Sequence, residues 1–172
     1  SLVLTFFALK RIEMSIMKTT AKLAAALLIT IPINAAFAGG HMKFWEVTGT
    51  QMPESSETVS GKTGSITHIT SKDIWDYSKA PEGMPRVVGA TCHNSVVTDP
   101  SGALLGGVGV CESVDPNGDV SLYSATFGKD GVYNATLTHG TGVYEKYVGV
   151  EITGSFIGQL SDGSGIYHMT PK

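Results

Sequence analysis

Short clusters that combine Gly with Asp, Asn, Pro or Ser recur along the second half of the chain, and they mark places where it reverses direction. Pro fixes the φ that the second position of a turn requires, and Gly accepts the positive φ of the turn's exit. In one cluster, the pair Asn117-Gly118 is typical of a type I′ hairpin turn, which needs positive φ at both central residues. The four clusters span residues 99–102, 115–119, 128–131 and 162–165. Together they predict consecutive β-hairpins, which form a meander.

The segments between these turns are rich in Val, Thr, Ile and Tyr, which favour strands. They predict strands over 86–97, 106–113, 150–160 and 166–170. Two earlier strands are predicted over 42–50 and 65–77, although 71–78 is also compatible with a helical turn. Within 150–160 an apolar face alternates with a polar one. The apolar face consists of Val150, Ile152, Phe156 and Leu160, and the polar face of Glu151, Thr153, Ser155 and Gln159.

Glycine usage and the absence of helical periodicity set the fold class. All 21 glycines follow residue 38 and make up about 16% of the remaining chain, about twice the usual share of about 7%. No window after residue 38 carries a 3.6-residue apolar period of helical length. Seven to nine antiparallel strands without covering helices must close on themselves or stack, because open edges invite aggregation. The prediction is an all-β fold, a closed antiparallel β-barrel of about eight strands, with a β-sandwich as the alternative.

The segment Met17 to Ala38 has the three parts of a bacterial-type signal peptide in order. Lys18 and Lys22 give a positive start, 23–33 is apolar, and 36–38 reads Ala-Phe-Ala, a small-x-small cleavage site. We therefore expect 17–38 to be removed, 1–16 to lie upstream of the true start, and 39–172 to form a single barrel domain. A membrane anchor is the alternative, but Pro32 and Asn34 interrupt an apolar run shorter than the roughly 20 residues that span a bilayer.

The charge left after cleavage excludes two classes of partner. Residues 1–38 carry four basic side chains and one acidic one, so that 8 Lys+Arg face 14 Asp+Glu in the rest of the chain, a net charge near −6. No basic stripe is left for nucleic acid or for an anionic membrane surface. We expect an exported protein, periplasmic or secreted, with no contact to the membrane after cleavage.

The two cysteines test the predicted strand pairing. If the hairpin at 99–102 is centred between Ser101 and Gly102, Cys92 and Cys111 lie directly opposite each other on adjacent strands. An exported chain meets an oxidising compartment, which favours a disulfide. Such a bond would close a loop of about 20 residues and stabilise by about 3 kcal/mol. The alternative is a reactive thiol, for example Cys92 beside His93.

A glycine pattern near the C-terminus resembles a known family. Residues 140–144 read GTGVY, followed by YVG at 147–149 and TGS at 153–155, and the hairpin CESVDPNGD at 111–119 continues into YSATF at 123–127. These segments are similar to the glycine-rich motifs of allene oxide cyclase barrel-like proteins, which are related to the dirigent proteins, and to their small exported bacterial members. The matching family positions are Gly140, Gly142, Tyr144, Gly149 and Gly154.

The resemblance implies an eight-stranded antiparallel barrel, often trimeric, that binds an apolar or phenolic ligand inside. Glu145 and Lys146 lengthen the family's turn here, and Ile152 replaces a small residue. No catalytic residue of the family matches a numbered position in this chain. The catalytic residues are therefore left unassigned.

Other chemical motifs are weak. Asp115, Asn117 and Asp119 have the spacing of a calcium loop, but Pro116 intrudes and position 126 is Thr rather than a bidentate Glu. No Ser or Cys lies in a nucleophile elbow. The remaining candidates are single histidines without a metal-spaced partner and the sequon at Asn134; the histidines are His68, His93, His139 and His168.

Cleavage after Ala38 would create one metal site. The new N-terminus would be Gly39-Gly40-His41, whose free amine, two backbone amides and imidazole can form a square-planar four-nitrogen site. This geometry suits Cu(II) or Ni(II). We expect a Cu(II) ligand set there. We expect no cofactor that the fold requires.

Three classes of function are compatible with this sequence. The first is a non-catalytic barrel that binds a small, mostly apolar molecule inside. The second is a cyclase-like isomerase in which the barrel positions a reactive intermediate. The third is a structural or interaction subunit whose barrel is filled by its own side chains. The interior volume separates the third class from the others, and a buried ionisable pair would favour the enzyme.

We predict that the exported protein starts at Gly39 and carries the Cys92–Cys111 disulfide. Its intact mass should then be that of residues 39–172, about 2 Da below the mass after reduction, because two thiol hydrogens are lost on oxidation. Mass spectrometry with and without reductant measures both quantities. Free thiols in the exported protein would contradict the disulfide.

Overall fold

The computed structural model describes residues 44–172, which form an eight-stranded closed antiparallel β-barrel, so the predicted fold class is confirmed. One short 3₁₀-helix, Gly142–Tyr147, connects β6 to β7. The strands are β1 (Val47–Gly61), β2 (Gly64–Asp76), β3 (Val87–Thr98), β4 (Leu104–Val114), β5 (Val120–Phe127), β6 (Tyr133–Gly140), β7 (Glu151–Gln159) and β8 (Gly165–Pro171).

Each strand pairs with its neighbours in the chain, and β8 closes the barrel by pairing with β1. The closing ladder is short and runs from Val47 opposite Met169 to Gln51 opposite Gly165. Closure gives the sheet's outermost strands a partner, which removes the open edges of a flat meander. The strand order is therefore the predicted meander.

Four hairpins share a single turn design: β3–β4, β5–β6 and β7–β8 at one end of the barrel, and β4–β5 at the other end. Each has a three-residue loop that ends in a glycine of positive φ, namely Gly102 (87°), Gly118 (88°), Gly131 (77°) and Gly163 (85°). This is the hairpin in which a turn is followed by a left-handed glycine. The type I′ prediction for Asn117-Gly118 is wrong, because no described residue other than glycine has positive φ. Pro116 and Asn117 occupy the two central positions, and the fixed negative φ of proline suits a type I turn.

The last hairpin turns earlier than the sequence predicted. The amide of Gly163 donates to the carbonyl of Leu160, and the amide of Leu160 donates to Ser164, so the loop is 161–163 rather than 162–165. A bulge at Ile157, between the pairs Phe156–Tyr167 and Gly158–Ile166, shifts the alternation of β7. Leu160 therefore leaves the predicted apolar face and is exposed, whereas Ile152 stays buried.

The β3–β4 register pairs Cys92 with Cys111, as predicted, although the turn itself is centred differently. The hairpin closes from Asp99 to Ala103, so its centre is Ser101. A one-residue bulge then separates the pair Thr98–Leu104 from Val97–Gly106. That extra residue restores the predicted register for the rest of the ladder, including the cysteines.

Two boundaries near the N-terminus differ from prediction. β1 begins at Val47 and continues to Gly61, eleven residues beyond the predicted end; Met42 and Lys43 lie outside the described residues. The added part is mostly polar and exposed to solvent. Hydrogen bonds between hydroxyl groups, such as those of Thr58 and Thr67, connect it to β2. The helical turn considered for 71–78 is wrong, since Ser71 to Asp76 belongs to β2.

An aromatic cluster fills the end of the barrel where β1 begins. Phe44 and Trp45 stack on each other with ring centroids 4.2 Å apart, and both rings meet Tyr147 of the 3₁₀-helix edge-on. Trp45 also packs against Tyr77, the first residue after β2. This end is closed, whereas the hairpin tips at the opposite end are exposed. Within residues 44–172, no helix is long and apolar enough to cross a bilayer.

We predict that Gly118→Val lowers the free energy of unfolding by about 1–3 kcal/mol, the cost of a side chain held in a disfavoured backbone region. A Cβ at this position would meet no atom within 4 Å, so the loss would come from the backbone alone. Gly89→Val is the matched control, because Gly89 lies in β3 with open space and no positive φ. Denaturant unfolding compares the two variants, and equal effects would contradict the turn geometry.

Candidate functional site

The barrel interior contains a cavity of about 70 Å³ whose wall is mostly apolar and aromatic. It lies above the aromatic cluster of the closed end, with Phe44 and Tyr77 in its floor. Gln51, Asn94 and Phe156, which are less buried, line it toward the end of the hairpin tips. The full wall consists of Phe44, Gln51, Asp73, Trp75, Tyr77, Cys92, Asn94, Cys111, Tyr123, Ala125, Phe127, Tyr133, Ala135, Ile152, Phe156, Tyr167 and Met169.

Strand alternation places these side chains inside. In β2, Ser71, Asp73 and Trp75 are buried and alternate with exposed residues. Tyr167 and Met169 of β8 alternate in the same way. Gly49 of β1 makes room for Tyr167, because a Cβ on Gly49 would lie 2.2 Å from two atoms of that ring. The missing side chain on one strand therefore allows a large ring on the next.

A hydrogen-bonded network is the main polar feature of the wall. The Tyr167 hydroxyl donates to Oδ2 of Asp73 at 2.6 Å, and the Ser71 hydroxyl donates to Oδ1 at 2.7 Å. The indole Nε1 of Trp75 donates to the Tyr167 oxygen. Both oxygens of the carboxyl group are therefore occupied, and the network is held by two strands that closure brings together.

Burial governs the protonation of this network. Desolvation raises the pKa of Asp73 above its ordinary value, and the hydrogen bonds from Tyr167 and Ser71 offset part of that rise. The pKa of Tyr167 is also raised, first by burial and then by the nearby charge of Asp73. Asp73 and Tyr167 thus form a buried ionisable pair that joins a carboxyl group to a phenol.

Tyr133 contributes a second phenol to the cavity, without a hydrogen bond. Its side chain is buried, and its hydroxyl has no hydrogen-bond partner among the described residues. Its ring meets Tyr167 edge-on, with centroids 6.0 Å apart. Burial and the charge of Asp73 both raise the pKa of Tyr133, so the hydroxyl keeps its proton. It is an unused donor in an apolar wall.

The predicted cysteine pair lies in the same wall. The sulfurs of Cys92 and Cys111 are at disulfide-bonding distance, and the two Cα atoms are 4.1 Å apart. Cys92 is buried, so a bond here would crosslink β3 and β4 from inside the barrel.

The residues of the glycine motif support packing. A Cβ on Gly154 would lie 2.4 Å from the Tyr133 hydroxyl, and a Cβ on Gly140 would lie 2.8 Å from Tyr144, which is fully buried. Gly142 and Gly149 have positive φ, the first at the start of the 3₁₀-helix and the second two residues after its end. Gly154 thus lies against a side chain of the cavity wall.

The other sequence candidates lie elsewhere. The imidazoles of His68 and His93 are exposed and hydrogen-bond to Ser95 and Thr70 on the neighbouring strand. The side chain of Asp115 accepts hydrogen bonds from the backbone amides of Asn117 and Asp119, as expected for a turn residue. In residues 44–172, no three His, Cys, Asp or Glu side chains come together to hold a metal ion. The proposed copper ligands Gly39, Gly40 and His41 lie outside the described residues.

Neither the polar network nor the role of Tyr133 in the wall is predicted by the sequence. One signal was present, since Ser71, Asp73 and Trp75 occupy alternate positions of one predicted strand. Two polar residues sharing a face with Trp suggest a buried polar site. Their partner Tyr167 is 94 residues from Asp73, and no local pattern connects the two.

Comparison of the chain with protein-family models, with curated proteins and with solved structures finds no match in any of the three.

We predict that Asp73→Asn gains stability relative to the wild type as the pH rises from about 4 to 8. In the folded protein the pKa of Asp73 is raised above its ordinary value of 3.8, so the contribution of Asp73 to stability is fully present below pH 3.8. It is lost as the pH rises through the raised pKa, because the charged form is disfavoured inside. Asparagine carries no charge and escapes that loss.

Denaturant unfolding of both proteins across this pH range measures the difference. Tyr167→Phe provides a second test, because it removes a hydrogen bond that lowers the pKa of Asp73. Its deficit against the wild type should therefore grow with pH. A difference between Asp73→Asn and wild type that does not change with pH would contradict the buried, shifted carboxyl.

Proposed function

We propose that this protein is an exported β-barrel that binds a small, mostly apolar ligand in its interior without catalysing a reaction. The observation that carries the proposal is the cavity, whose wall is largely aromatic and aliphatic with a few polar groups on one side. Such a composition is typical of small-molecule sites, where apolar walls provide affinity and a few polar groups set orientation.

The size of the cavity limits what enters it. At about 70 Å³ it is smaller than the cavity of about 150 Å³ that accommodates benzene in an engineered protein. A ligand would therefore insert a small apolar end and extend toward the hairpin tips. Phe156 favours this arrangement, because it lines the cavity while 39% of its surface remains exposed.

Export, family and assembly belong to the same proposal. The cysteine pair at disulfide distance is consistent with an oxidising compartment. The predicted signal peptide lies outside the described residues. The resemblance to allene oxide cyclase barrel-like proteins agrees with an eight-stranded barrel, and it suggests a trimer.

A cyclase-like isomerase is the second candidate, and the Asp73–Tyr167 pair favours it. Ionisable groups with raised pKa values in a cavity are typical of acid–base catalysis. The phenol and the carboxyl group, 2.6 Å apart, can hold one proton between them. In this alternative, Asp73→Asn would abolish turnover, whereas a binding protein would retain its ligand.

Native mass spectrometry of the protein purified from its own host tests the proposal. We expect mature protein with a retained small molecule, and less of it in an Ala125→Leu variant, because Ala125 lines the cavity. Ser124→Leu is the matched control, since the neighbouring residue on β5 points outward and is exposed. The results would instead favour a barrel filled by its own side chains if the wild type never carries a ligand and the Ala125→Leu variant is more stable than the wild type.

A further inference from the structure

The Tyr133 hydroxyl is the feature of the cavity that the protein leaves unused. Tyr133 is 7% exposed and lines the cavity, and its oxygen has no hydrogen-bond partner in the described chain. Leaving a buried donor unpaired costs free energy, so such groups are rare unless something binds them. Gly154 is part of the arrangement, because any side chain there would occupy the position of this hydroxyl.

The hydrogen bonds of Asp73 and Tyr167 indicate which kind of ligand group Tyr133 would bind. Both oxygens of Asp73 already accept hydrogen bonds, from Tyr167 and Ser71, and the Tyr167 oxygen accepts one from Trp75. Next to these paired groups, the Tyr133 hydroxyl is a buried donor without a partner in the described chain, on a side chain that lines the cavity. The mostly apolar wall disfavours a ligand anion at this place, because burying a charge without an opposite charge to pair with it costs free energy.

We infer that Tyr133 anchors an uncharged ligand by donating a hydrogen bond to a carbonyl or ether oxygen. This oxygen is carried by the inserted end of the ligand, which is otherwise apolar. This inference rests on the proposed function and names the ligand class of the same site. Tyr133 is thus a binding residue that sets specificity, and Gly154 is a positioning residue that leaves room for its hydroxyl.

Three small probes of equal heavy-atom count separate the possibilities. They are 3-methyl-2-butanone, its hydrocarbon analogue 2,3-dimethyl-1-butene, and the anion isobutyrate. Titration of each is followed through the ε-methyl NMR signal of Met169, which lines the cavity. We expect the ketone and the alkene to bind, and isobutyrate to bind far more weakly.

The variant Tyr133→Phe should weaken ketone binding roughly fivefold, as expected for the loss of one hydrogen bond, and leave alkene binding unchanged. Tyr144→Phe is the matched control. Its hydroxyl is also buried without a partner among the described residues, but Tyr144 does not line the cavity. It should change neither affinity. Without probe, both variants should melt at a higher temperature than the wild type, because each removes an unpaired buried hydroxyl.

The outcomes distinguish this inference from the proposed function. If Tyr133→Phe binds the ketone as tightly as the wild type does, the inference is overturned while ligand binding stands. A lower melting temperature for Tyr133→Phe, with a higher one for Tyr144→Phe, would also overturn it, because the hydroxyl would already have a partner. If the wild type binds neither the ketone nor the alkene, the proposed function itself fails.

Discussion

The short ladder between β1 and β8 is the constraint on which the rest of the barrel depends. Five residue pairs, from Val47–Met169 to Gln51–Gly165, close the sheet. They place Gly49 opposite Tyr167, and the absence of a side chain on Gly49 lets the Tyr167 ring lie across it. Tyr167 then reaches Asp73 and Trp75 on β2, the strand on the other side of β1. Without closure, the cavity and its polar network would not exist.

Packing of large rings against glycines recurs at three places inside this barrel. Tyr167 lies over Gly49, Tyr133 over Gly154 and Tyr144 against Gly140. A small barrel has little interior space, so a ring on one strand needs a minimal residue on its neighbour. Of the glycines that carry the family resemblance, Gly140 and Gly154 therefore report on how the interior is packed, whereas Gly142 and Gly149 supply positive φ. They do not identify a reaction.

The candidate site combines two opposing tendencies. Aromatic packing excludes water from the interior, which makes each buried polar group expensive unless it is paired. Asp73 accepts two hydrogen bonds, and its pKa stays raised because these bonds offset only part of the cost of burial. Tyr133 is left without a partner a short distance away. The polar groups of this mostly apolar wall therefore include both a paired carboxyl group and an unpaired phenol.

The sequence by itself determined the meander, the approximate strand positions and the opposition of Cys92 and Cys111, because turn chemistry and strand alternation act over a few neighbouring residues. It did not determine where the bulges fall, and one extra residue reverses which side chains face inward. Ile157 moved Leu160 to the surface in this way, whereas the bulge beside Thr98 corrected the misplaced centre of its hairpin. Only the tertiary structure decided the volume of the cavity and the meeting of Asp73 with Tyr167. Residues 94 positions apart come together through the closing register, which depends on the sum of every bulge and turn between them.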